Sequence, residues 1–153
     1  MEFYTDFKDF VELLNRNEVK YLLVGGYALS FYSRPKSTQD IDIFVEVSID
    51  NANKILKVLN EFGLSSLNIS LNDLTTKDRA IQIGVPPIRI DIMTSIEGID
   101  FGDAYKNREV SEYGDIENVS FISINDLIKN KNSVGCKKDL NDLEWLSKYR
   151  KKN

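Results

Sequence analysis

Two short stretches of this chain alternate aliphatic with charged side chains: Asp40-Ile41-Asp42-Ile43-Phe44-Val45 and Ile88-Arg89-Ile90-Asp91-Ile92-Met93. A strand points successive side chains to opposite faces, so residues two apart share a face. The pattern therefore predicts two strands, each with an aliphatic face for a core and a charged face turned away from it. Ile41, Ile43 and Val45 are expected inward, with Asp40, Asp42 and Phe44 on the other side. Ile88, Ile90 and Ile92 are expected inward, with Arg89, Asp91 and Met93 opposite. If the two strands lie side by side over one core, three aspartates meet on one face. The alternative is an Arg89–Asp91 ion pair on a solvated sheet.

The rest of the chain surrounds these strands with mixed elements. A helix is predicted from about Asp6 to Arg16, with Thr5 as N-cap and Phe7, Phe10, Val11 and Leu14 on one face. Lys20 to Val24 reads as a short buried strand ended by Gly25-Gly26, and Tyr27 to Tyr32 as the helix after it. Ser33 to Gln39, with Pro35 inside it, reads as a loop before the Asp40 strand. Asp50 is the expected cap of an amphipathic helix reaching Phe62, with Ala52, Ile55, Leu56, Leu59 and Phe62 inward and Gly63 as its stop. Leu64 to Thr76 has no clear period. Ala80 to Val85 and Ile88 to Met93 read as strands split by Pro86-Pro87, with a short helix near Phe101 to Lys106. A hairpin is expected around Gly114-Asp115, joining Arg108–Glu112 to Ile116–Ile122. Ser123 caps a helix through Asn130, and Lys138 to Tyr149 reads as the last helix. Neighbouring strands in this order cannot all be parallel. The expected class is α+β, a mixed sheet flanked by helices, in one domain over residues 1–153: a core of about 20–122 and C-terminal helices over 123–150.

Composition narrows the chemistry. The chain contains no histidine and one cysteine, Cys136. Histidine acid–base work, histidine metal ligation, an internal disulfide and a multi-cysteine zinc site are all excluded. What remains is carboxylates, lysines, hydroxyls or a carboxylate-bound metal. The N-terminus lacks a signal-like apolar core and no apolar run is long enough to span a bilayer, so a cytoplasmic protein without a membrane partner is expected. The formal net charge of −4 is uneven. From Lys129 to Asn153, eight Lys or Arg oppose three acids, a net +5, and the rest of the chain carries −9. A basic end on an acidic body is a possible polyanion footprint, or a solvated terminal helix.

Carboxylates at the spacing of Asp40 and Asp42 repel unless a cation lies between them. A hard divalent ion such as Mg²⁺, or Mn²⁺, suits oxygen donors that also meet substrate phosphates. With Asp91 added, the face could hold two ions, one activating a hydroxyl and one stabilising a leaving pyrophosphate, and Asp91 is the expected general base. Gly25-Gly26 would let a phosphate approach the backbone at a helix start. Ser30 lies one turn further on, and Arg34 and Lys36 in the loop could meet triphosphate oxygens.

These motifs together resemble the nucleotidyltransferase superfamily typified by DNA polymerase β: Gly-Gly or Gly-Ser, a spacer, Asp-x-Asp on a strand, and a third Asp on another strand. The segment Arg34-Pro35-x-Ser37-Thr38-x-Asp40-Ile41-Asp42 is most similar to a bacterial branch with lincosamide-type nucleotidyltransferases and the toxins of abortive-infection (type IV) toxin–antitoxin systems. Lys137-Lys138-Asp139-Leu140-Asn141-Asp142-Leu143 resembles a helix near the end of such proteins. The resemblance implies the nucleotidyltransferase fold and transfer of an NMP from an NTP to an acceptor hydroxyl, with pyrophosphate released (an EC 2.7.7-type activity). It implies Asp40, Asp42 and Asp91 as catalytic metal ligands. Gly25, Gly26, Ser30, Arg34, Lys36, Thr38 and Lys138 become the expected nucleotide-binding residues. The acceptor is left open between an RNA 3′ end such as tRNA, a small molecule and a protein, with a homodimer or a cognate antitoxin as further partners. A non-catalytic nucleotide-binding, antitoxin or interaction module of the same fold is the alternative. Minimal antitoxins of this kind are shorter and carry Gly-Ser where this chain has Gly25-Gly26, which argues against that branch.

Overall fold

The computed structural model describes residues 2–32, 40–64, 68–84 and 89–134. The alternating segments form strands, β2 (Asp40–Val45) and β4 (Arg89–Met93). They lie beside each other in parallel, with Ile41 opposite Ile90, Asp42 opposite Asp91 and Phe44 opposite Met93. On the aliphatic face Ile41, Ile43, Val45, Ile90 and Ile92 are all buried. On the other face Asp40, Asp42, Arg89 and Asp91 stay half-buried. Phe44 departs from the expected open face. α5 (Phe101–Lys106) covers it, with Phe101 edge-on at 5.0 Å.

β1 (Tyr21–Val24) pairs antiparallel with β2, and β3 (Ala80–Ile83) antiparallel with β4. β5 (Glu109–Tyr113) and β6 (Ile116–Phe121) form the expected hairpin, and β6 runs parallel to β1. The six-stranded mixed sheet has the order β3-β4-β2-β1-β6-β5. Helices α1 (Glu2–Arg16), α2 (Gly25–Tyr32), α3 (Ile49–Glu61), α4 (Leu71–Thr75) and α6 (Ile124–Val134) complete an α+β architecture with helices flanking the sheet. Phe7, Phe10, Val11 and Leu14 of α1 are fully buried, as their spacing predicts. Among the described residues, no helix is long and apolar enough to cross a membrane.

A few boundaries differ from the sequence reading. α1 starts at Glu2 and carries Thr5 inside it, because nothing before Thr5 breaks a helix. Ser48, not Asp50, caps α3: its hydroxyl accepts from the Asn51 N–H at 3.1 Å. Asp50 lies in the first turn and pairs with Lys54. The segment without a clear period contains α4, a single turn that depends on a Ser70–Asp73 capping box rather than on an apolar stripe. β3 ends at Ile83, two residues short of the expected strand end. The Ser33–Gln39 loop, Pro86-Pro87, Cys136 and the expected helix from Lys138 to Tyr149 lie outside the described residues.

One buried polar side chain ties the strands that carry the site to α3. Asn51 accepts from the Lys20 N–H at 2.8 Å and donates to the Lys20 and Glu46 carbonyls at 3.1 and 3.0 Å. It thus links the start of β1 and the chain just past the end of β2 to the first turn of α3.

Candidate active site

The site lies on the charged face of β2 and β4, where β1 turns into α2. The turn is abrupt: Gly25 is the first residue of α2 and adopts a φ of +63°, in the left-handed region that glycine enters without strain. A Cβ at Gly25 would stand 2.2 Å from Asp42 Oδ2, so only glycine lets the backbone approach that carboxylate. Aromatic stacking pins the helix behind it. Tyr27 stacks on Phe7 of α1, and Phe31 on Phe121 of β6, each at 4.1 Å. The Tyr32 hydroxyl donates to the Ile122 carbonyl at 2.7 Å.

Asp42 and Asp91 face each other across the strand pair and share a hydrogen bond. Burial, that hydrogen bond and the charges of Asp91 and Asp40 push the Asp42 carboxyl up to about 7, partly offset by Arg89. Two carboxylates this close cannot both ionise cheaply, so Asp42 resists giving up its proton. Arg89 takes Asp91 from the other side. Its Nε and one terminal nitrogen donate to the two carboxylate oxygens at 3.1 and 3.2 Å. The ion pair weighed as the alternative at these positions is therefore formed, on the same face as Asp42 and not in place of it. Asp40 sits one pleat along, opposite Arg89.

Among the described residues, no group of three or more His, Cys, Asp or Glu converges closely enough to hold a metal ion as the side chains stand. Arg89 occupies both carboxylate oxygens of Asp91. The donor set nonetheless fits a hard divalent cation: Asp40, Asp42 and Asp91 offer only carboxylate oxygens, on one face and in adjacent registers.

A cavity of about 720 Å³ opens beside the pair. Val24, Gly25 and Asp42 form one wall, and Met93 and Ala80 continue its floor across β4 and β3. The far wall is the turn around Ile96–Ile99, fastened to α6. Asn130 donates to the Glu97 carbonyl at 2.9 Å, and Gly98 packs so tightly on Ser133 that a Cβ there would come within 2.3 Å of its hydroxyl oxygen.

Of the residues expected to bind nucleotide, Gly25 lines this cavity, and Gly26 follows it in the first turn of α2. Ser30 lies a turn further along and does not line the cavity. Arg34, Lys36, Thr38 and Lys138 fall outside the described residues. Sequence reasoning missed the cavity's far wall. Glu97 and Asn130 come from a turn and a helix face with no motif, and a glycine at 98 was the one available hint.

The chain belongs to the family described as nucleotidyltransferase of unknown function (DUF6036), whose profile matches residues 2–148. Its fold is similar to the crystal structure of a candidate nucleotidyltransferase from Thermotoga maritima, with a TM-score of 0.62 and 16% sequence identity. The match covers 99% of this chain and 94% of that one. No curated relative matches the chain. The fold is thus the α+β nucleotidyltransferase fold, with a six-stranded mixed sheet flanked by helices.

Proposed function

We propose that this chain is an active, metal-dependent nucleotidyltransferase that moves a nucleoside monophosphate from an NTP to an acceptor hydroxyl. The observation that carries this reading is the cross-strand Asp42–Asp91 pair, facing a backbone that only glycine can bring so close, at the edge of a ligand-sized cavity. In this reading the nucleotide phosphates lie against the start of α2 at Gly25 and Gly26. The acceptor oxygen bonds to the α-phosphorus, the bond from that phosphorus to the bridging oxygen breaks, and pyrophosphate leaves with the electron pair. The acceptor proton passes to the Asp42–Asp91 pair. Asp40, Asp42 and Asp91 would hold Mg²⁺ or Mn²⁺, which when bound supplies the positive charge that offsets the triphosphate and the leaving pyrophosphate. Arg89 must then loosen its grip on Asp91.

That grip favours a second reading, a nucleotide-binding or antitoxin module that keeps the fold without turnover. Incubation with α-labelled NTPs separates the two. Transfer lost in Asp42→Ala supports the enzyme, and nucleotide binding without any transfer supports the module. A toxin role and a cognate antitoxin partner belong to the first reading, and growth arrest on expression that disappears with Asp42→Ala tests them.

A further inference from the structure

We propose that Arg89 guards the metal site while no nucleotide is bound and then passes to the nucleotide's phosphates, so that the divalent cation and the NTP load together. This rests on the nucleotidyl-transfer reading above and adds to it a nucleotide-binding residue and a coupling between the two ligands.

The guard is visible in the contacts. Arg89 donates to both oxygens of Asp91, at 3.1 and 3.2 Å. A guanidinium set on a carboxylate at two points fills the oxygens that a hard divalent cation needs. Arg89 cannot step aside by losing its proton, because a guanidinium stays charged in proteins. It has to move. Its side chain is 36% exposed against 13% for Asp91, so the arginine has room to swing and the aspartate does not.

Register supplies the destination. Val24, the last residue of β1, lies opposite Asp42, so α2 begins at the level of Ile41 and Asp40. Arg89 lies opposite Asp40, on the other side of β2. The start of α2 and Arg89 therefore flank β2 at one level, about 10 Å apart at two strand spacings. Phosphates laid against Gly25 and Gly26 fall within reach of an arginine that lets go of Asp91.

Charge makes the exchange favourable only when both ligands are present. Among the described residues, the charged side chains on this face of β2 and β4 are Asp40, Asp42, Asp91 and Arg89, and Arg89 is their single cation. Displacing it with a metal alone leaves a divalent ion beside a bare guanidinium. With an NTP present, the metal takes the carboxylates and Arg89 takes phosphate oxygens, which its forked geometry fits equally well. Metal and nucleotide then raise each other's affinity by the same factor.

The test measures binding and needs no acceptor. The full chain, as wild type, Arg89→Gln and Arg89→Lys, is titrated with Mn²⁺ alone, read by the electron paramagnetic resonance of free Mn²⁺. Calorimetry then measures each of the four NTPs with Mg²⁺, and circular dichroism checks the fold. Arg89→Gln should bind Mn²⁺ alone roughly tenfold more tightly than wild type and the NTP roughly tenfold more weakly. Arg89→Lys keeps the charge without the fork, so it should open the metal site as Arg89→Gln does and retain most of the NTP affinity. Mn²⁺ affinity unchanged or lowered in Arg89→Gln, the result expected of a residue that only holds Asp91 in place, overturns the proposal. So does an unchanged NTP affinity. Wild-type protein that binds neither Mn²⁺ nor any NTP removes the nucleotidyl-transfer reading itself, whereas wild-type binding of both, with Arg89→Gln altering neither, removes this inference alone.

Discussion

The two faces of β2 and β4 are made by the same residues in alternation, yet they follow opposite rules. On one face Ile41, Ile43, Val45, Ile90 and Ile92 are sealed under helices. On the other, a residue away each time, Asp40, Asp42 and Asp91 crowd like charges where water only partly reaches. The first face gains free energy by burial. The second gives some back, since a carboxyl pushed up to about 7 is one the fold would rather have protonated. Along these two strands the aliphatic burial lies on one face, and the proposed chemistry lies on the other.

The contrast can be broken from either side. The largest effect is expected on the charged face. Asp42→Ala should lower transfer by on the order of a thousandfold or more, with an unchanged circular dichroism spectrum. Residual transfer near the wild-type rate would show that this face is not the site. Next comes the aliphatic face. Ile43→Ala removes a fully buried side chain and should cost about 2–5 kcal/mol, read as a fall in Tm of roughly 10 °C. A Tm within 2 °C of wild type, on that same scale, would contradict a close-packed core there. Gly25→Ala probes the seam between the faces. Its Cβ must displace the Asp42 carboxylate and its φ of +63° becomes strained, so nucleotide affinity should fall roughly tenfold with a stability loss of about 1 kcal/mol.

The smallest effect is also the most diagnostic. The folded state binds the Asp42 proton more tightly than the unfolded chain does, about 7 against an ordinary 3.8. This contribution to stability is complete below pH 4 and is lost as pH rises through 7. In the presence of a chelator, Asp42→Asn should therefore raise Tm above pH 7, make little difference at pH 4, and still abolish transfer. A variant less stable than wild type at pH 8 would mean the carboxylate is better accommodated than its neighbours imply. A gain in stability paired with a loss of activity is what a site built against the interests of the fold should give.

Much of this was readable from residue order, and for identifiable reasons. Period-two alternation placed β2 and β4 and sorted their faces, because a strand leaves a side chain no third direction. The Phe7, Phe10, Val11 and Leu14 stripe placed α1 for the corresponding helical reason. The single turn α4 and the Ser48 cap were not found, because they depend on local side-chain hydrogen bonds with no long period to announce them. Arg89 was visible as a neighbour of Asp91, but whether it would point to solvent or hold both carboxylate oxygens was decided only in the folded sheet, where Asp42 and Asp91 pair across 91 − 42 = 49 residues.

By itself, then, the sequence determined which side chains share a strand face, that histidine and cysteine-cluster chemistry were closed, and that glycine stood where a helix begins. Those are properties of spacing and residue type, and no fold is needed to state them. Only the tertiary structure decided that Asp42 stands opposite Asp91, that Gly25 lies against that carboxylate, and that Glu97 and Asn130 close a cavity beside them. Those depend on the parallel register of β2 and β4 and on α6 packing against a distant turn. Such contacts are chosen by the whole core at once, and no short stretch of the chain carries them.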